Sequence, residues 1–262
     1  MDGPLVYVSG YSEPMGHIRG DQLLDGIRTY RLQPDGTLGD AAVPPAGAAI
    51  PNPSLVCSDS RGRWLFCVNE IDDGSVSAFA IEPSTGALRL INRVNAHGIA
   101  PCHCCVSSDD AFFFCASYGS GTVVSFAIQS DGSLAPAAHI EQHAGLADPH
   151  AHSTTMDPSG ANLVAVDLGL DQVRRYALGP TGALTLRDTL QMEAGLGTCL
   201  FCFDRSGRHA YVGNEYDSSL CHLTYDDASG FATDGIRYST APEGKEQVSA
   251  AAIIYLPPAA VV

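Results

Sequence analysis

The chain has 262 residues, enough to bury a sizeable core without disulfides. Fourteen basic against twenty-nine acidic residues give a formal charge of −15, which argues against nucleic acid and anionic membrane surfaces as partners. Nine cysteines, an odd number scattered through apolar runs, fit a reducing cytosol, and no segment approaches the roughly 18 uninterrupted apolar residues of a membrane span.

In chain order, the segment from Met1 to Val8 enters a strand-like run with no basic, signal-like start, so a cytoplasmic protein is expected. Residues 1–43 supply three strands. From there a repeat sets the pattern. A glycine turn ahead of an extended segment recurs at Gly36, Gly86, Gly132, Gly182 and Gly230, at intervals of 50, 46, 50 and 48 residues. A second turn, between two apolar runs, recurs at Gly62, Asp110, Gly160 and Gly207, at intervals of 48, 50 and 47. Both landmarks keep the same period. Each unit reads as four short strands, because runs such as "SVSAFAI" and "TVVSFAI" combine β-branched and aromatic residues between Gly, Asp, Asn and Ser joins. The units fall at about 52–95, 100–140, 149–190 and 198–240, and a last partial unit at 248–262 is expected to supply one first strand near 249–255.

Four strands in somewhat under 50 residues describe a blade of a β-propeller, whose first strand lines a central channel. The fold class expected is therefore all-β: one propeller domain with about five blades present. Aligning the units makes Ser54, Cys102, His152 and Cys199 equivalent at the start of successive first strands. The ends of the second strands match as Asn69-Glu70, Ser117-Tyr118, Asp167-Leu168 and Asn214-Glu215. One mouth of the channel could thus gather His150, His152, Asp167 and Glu215. The stretch "APCHCCV" at 100–106 carries zinc-type ligands, but strand alternation puts Cys102 and Cys104 on one face and His103 and Cys105 on the other. No metal and no cofactor are expected. Alternation likewise predicts that Arg174 and Arg175 divide between solvent and a neighbouring blade.

The stretches "NPSLVCSDSRGRWLFCVNE", "PCHCCVSSDD", "DPHAHSTTMDPSGANLVAVDLGLDQV" and "GRHAYVGNEYDSSL" resemble the seven-bladed lactonase family. That family contains propeller-type 6-phosphogluconolactonases and a carboxymuconate cyclase. The resemblance implies hydrolysis of a sugar lactone, with His152 and Glu215 as the leading acid–base pair and His150 second. It places His103, Asp167, Asn214 and Cys199 as substrate-binding candidates. Members are longer by roughly two blades, so an incomplete, C-terminally truncated seven-bladed propeller is expected. They also carry "PRH" where this chain has Thr198-Cys199-Leu200, so Cys199 replaces an arginine. A thiol cannot imitate a guanidinium. Loss of one oxyanion donor typically costs about 100- to 1000-fold in turnover. The alternatives are a cyclase-like cycloisomerase and a non-catalytic propeller acting as a binding module.

Overall fold

The computed structural model describes residues 3–15, 23–40, 50–145 and 148–241, and these contain strands and turns and no helix. None of them therefore forms a helix able to cross a membrane. A three-stranded antiparallel sheet comes first: β1 (Leu5–Val8), β2 (Arg28–Leu32) and β3 (Leu38–Asp40). Four four-stranded sheets follow. The second sheet is β4 (Pro53–Ser58), β5 (Trp64–Asn69), β6 (Ser75–Ile81) and β7 (Leu88–Asn95). The third is β8 (Pro101–Val106), β9 (Phe112–Ser117), β10 (Thr122–Ile128) and β11 (Leu134–Gln142). The fourth is β12 (Ala151–Met156), β13 (Asn162–Asp167), β14 (Gln172–Leu178) and β15 (Leu184–Gln191). The fifth is β16 (Thr198–Phe203), β17 (His209–Asn214), β18 (Ser219–Asp226) and β19 (Gly230–Ser239).

Each sheet is an antiparallel meander, and the first strands of neighbouring sheets touch: β8 packs against β4 and β12, and β12 against β16. This is the architecture of a β-propeller, with first strands innermost. The strand expected near 249–255 lies outside the described residues.

Turn chemistry explains the repeat. Gly62, Gly160 and Gly207 have φ of 62°, 73° and 69°, the left-handed region that glycine adopts without steric cost. The third sheet puts Asp110 in that place at φ 61°. Its carboxylate compensates by accepting from the Ser60 amide at 2.8 Å and the Ser60 hydroxyl at 2.6 Å in the preceding blade. The turn is thereby also an interblade clamp.

The core is a set of layers between blades. Phe66, Phe113 and Phe126 join Cys104 and Cys115 between the second and third sheets. Phe114, Leu163 and Tyr176 fill the next gap, and Val164, Val212 and Leu223 the one after. Ile27, Leu65 and Phe79 close the first. Second strands are buried on both faces, which is why they read as near-continuous apolar runs. Fourth strands are the most exposed, and β11 alternates half-buried and exposed residues from Ala135 to Gln142.

The expectation for Arg174 and Arg175 fails. Both are buried, at 7% and 3% exposure. Arg174 donates to the Ala144 carbonyl at 3.0 Å, and Arg175 to the Asp227 carbonyl at 2.7 Å and Asp188 at 2.9 Å. Alternation does send them to opposite faces, but a third strand is covered on both, so neither reaches solvent.

Candidate functional site

Each of the four inner strands among the described residues carries a β-bulge at the same place. The ladder pairs Pro53 with Asn69 and then Leu55 with Val68, skipping Ser54; it skips Cys102, His152 and Cys199 in the same way. A bulge leaves one residue unpaired and re-aims its side chain. The four aligned positions are thus the ones freed from strand alternation.

Past each bulge the ladder closes with one further bond. The amide of Glu70 donates to Asn52 at 2.9 Å, Tyr118 to Ala100 at 2.9 Å, Leu168 to His150 at 2.9 Å and Glu215 to Gly197 at 2.8 Å. These four residues therefore occupy one rim position, repeated blade by blade.

The rim brings three expected residues together. His152 Nε2 lies 3.9 Å from Glu215 Oε2, with side-chain exposures of 23% and 33%. That separation suits an ion pair or a shared water rather than a direct hydrogen bond. Tyr118 stacks on the His150 ring at 4.4 Å and 12°, and meets His152 edge-on at 6.0 Å and 85°. His150 is oriented by its Nδ1 contact of 2.8 Å to the Tyr118 carbonyl. Burial holds the His152 imidazole below its usual pKa, and the Cys199 backbone opposes that shift only in part. The ring is neutral at pH 7 and can accept a proton. Burial, the Tyr216 phenol and the Glu215 charge push the Tyr118 hydroxyl up to about 12, so it remains a donor.

Other expected residues lie inside the wall. Asp167 is fully buried, contacts His143 Nδ1 at 2.6 Å and accepts from the amides of His150 and Leu170, both at 2.9 Å. Asn214 donates to Ser219 Oγ at 2.9 Å and accepts from Thr198 Oγ1 at 3.2 Å. Cys199 directs its thiol to the Gly213 carbonyl at 3.2 Å, and burial followed by the Glu215 charge pushes it up to about 12. Their placement positions the rim rather than furnishing its surface. Asp171 does similar work, accepting from the amides of Gly195 and Gly197 at 2.7 Å each.

The cysteine cluster resolves differently from strand alternation. Cys102 Sγ lies 3.4 Å from the His152 carbonyl and His103 Nδ1 accepts from the Thr154 amide at 3.3 Å, both in the following blade. Cys104 faces the other way, toward the Leu55 carbonyl at 4.0 Å. Alternation holds from His103 onward and breaks at the bulge. All nine cysteines are free, and burial raises the pKa of Cys102, Cys104 and Cys105. Thiolate nucleophiles are disfavoured here.

His103 makes a pH-dependent contribution. Burial, then the neighbouring His152 charge, holds it at about 4, below its unfolded value near 6.5. As pH falls from about 6.5 toward about 4, the unfolded chain binds the proton first, so stability is lost over that window. With some solvent contact allowed for, the loss is about 2 kcal/mol. Urea denaturation of His103→Gln, which keeps an acceptor for Thr154, should show a flatter acid limb; an unchanged limb would refute the assignment.

Three rim residues escaped sequence reasoning as site candidates: Glu70, Tyr11 and Tyr118. Tyr11 donates its hydroxyl to Glu70 Oε2 at 3.0 Å. For Glu70 and Tyr118 the signal was present, since the aligned second-strand ends put them level with Glu215. Tyr11 carried none.

The chain is similar to several known proteins. The chain is 31% identical over 213 residues to the 6-phosphogluconolactonase of Bacillus subtilis, covering 79% of this chain and 60% of that protein. It is 34% identical over 161 residues to the 6-phosphogluconolactonase of Pectobacterium carotovorum, covering 61% and 47%. The periplasmic gluconolactonase structure from Pseudomonas aeruginosa superposes with TM-score 0.80 at 27% identity, covering 92% of this chain and 69% of that one. This chain thus spans about six-tenths or less of the length of these curated relatives. The family model for lactonases with a seven-bladed β-propeller matches residues 6–259. The chain belongs to that seven-bladed β-propeller lactonase family.

Proposed function

We propose that this chain opens a sugar lactone by adding water at the rim formed by His152, Glu215 and Tyr118. The observation that carries the reading is the neutral, half-buried His152 imidazole 3.9 Å from a carboxylate. A water between them is oriented for attack on the lactone carbonyl. His152 takes its proton as the C–O bond to water forms, and Glu215 stabilises the resulting imidazolium. The tetrahedral intermediate then collapses with cleavage of the ring C–O bond. The imidazolium returns the proton to the departing alkoxide, leaving a hydroxy acid.

The oxyanion needs a donor, and Cys199 stands where relatives are expected to carry arginine. Tyr118 supports a substitute role, since its protonated hydroxyl shares the rim with His152. Asp167, Asn214 and Cys199 act as positioning residues behind the rim, and His103, on the neighbouring inner strand, accepts from Thr154 on the strand that carries His152. The nine free thiols support a reducing, cytoplasmic location, in contrast to the periplasmic neighbour.

Proton release from glucono-1,5-lactone, followed by pH-stat with the full chain, tests this reading. Tyr118→Phe should lower turnover about 100-fold, the scale of one oxyanion donor. A rate indistinguishable from buffer with the unaltered chain would end the proposal.

A further inference from the structure

The rim is acidic at two of its four repeated positions. Glu70 and Glu215 hold equivalent places, each fixed by the same amide bond across the bulge of its blade. Glu70 is only 8% exposed and is held by the Tyr11 hydroxyl at 3.0 Å, while Glu215 faces His152. After burial, Glu70 adds to the raised pKa of Tyr11 and Cys102, and Glu215 to that of Tyr118 and Cys199.

Among the described residues, the guanidinium groups toward this end of the blades lie on third and fourth strands, away from the axis. Arg174, on β14, is turned to the Ala144 carbonyl and Gln172; Arg237, on β19, pairs with Asp217 and Glu193. Toward the axis stand instead the phenols of Tyr11, bonded to Glu70, and of Tyr118, bonded to Tyr216, and the stacked Tyr118–His150 pair offers a flat apolar face. Hydroxyls and a ring face match the polar edge and C–H face of an uncharged sugar.

We infer that this rim selects neutral sugar lactones over phosphorylated ones, with Glu70 and Glu215 repelling a phosphate substituent. The inference rests on the lactonase reading. A dianion approaching two carboxylates loses in encounter rate and in binding, and both losses shrink with added salt.

The test compares kcat/KM of the full chain for glucono-1,5-lactone and for 6-phosphogluconolactone. At about 10 mM salt the neutral lactone should be favoured about tenfold or more. The ratio should narrow at about 1 M salt, where the screening length falls to roughly 3 Å. Glu70→Gln should narrow it at low salt. Preference for the phosphorylated lactone, or a ratio that responds to neither salt nor Glu70→Gln, overturns the charge inference while leaving the lactonase reading standing. Absence of turnover on both lactones overturns the lactonase reading and this inference with it.

Discussion

Replacing His152 by glutamine is expected to lower kcat/KM for lactone opening by about 100- to 10,000-fold, the range of a positioned general base. Glutamine retains bulk and a polar end at the bulge, so the thermal midpoint should change little and the loss can be read as chemistry. The pH profile gives the sharper check. Burial sets the His152 pKa below 6.5, so the imidazole is already neutral at pH 7. The unaltered chain should therefore show activity rising through an acid limb below pH 6.5 and flat above it. That limb should vanish in the variant. Glu215→Gln should instead leave a limb shifted to still lower pH, because the imidazolium loses its carboxylate at 3.9 Å. A His152→Gln variant with near-normal turnover would move the base elsewhere on the rim.

Phe113→Ala should cost about 3–5 kcal/mol of unfolding free energy, measured by urea denaturation of the full chain. Phe113 is fully buried between the second and third blades, with its ring 5.5 Å from Phe66 and 6.1 Å from Phe126. Removing it leaves a cavity lined by two rigid sheets, which cannot collapse without breaking strand register. A loss below about 1 kcal/mol would mean that the blades slide together and that the layer is not close-packed. Phe113→Leu retains more of the volume and should cost clearly less.

The blade pattern was legible because it is local. Glycine at positive φ, an apolar second strand and a β-branched third strand each follow from a few neighbouring residues. Spacing near 48 residues then exposed the repeat. Asp110 shows how far that reached: its place in the repeat was evident, while the bonds that make a left-handed aspartate tolerable come from Ser60, fifty residues away. The pairing of His152 with Glu215 was also anticipated, through alignment of the units and a family resemblance rather than through any local motif.

Strand alternation failed where a bulge or a second protein layer intervened. In "APCHCCV" it holds for His103, Cys104 and Cys105, and the bulge turns only Cys102 to the other face. It sends Arg174 and Arg175 to opposite faces of β14, yet protein covers both faces, so neither reaches solvent. Asp167 was placed among the groups facing the channel, and the structure spends its oxygens on His143, His150 and Leu170. The amino-acid sequence by itself determined the repeat, its turns, its all-β character and which positions are equivalent around the axis. Only the tertiary structure decided which of those positions face the rim and which are locked in the wall. Bulge geometry, hydrogen-bond register and interblade packing join residues far apart in the chain, and no short stretch of chain encodes them alone.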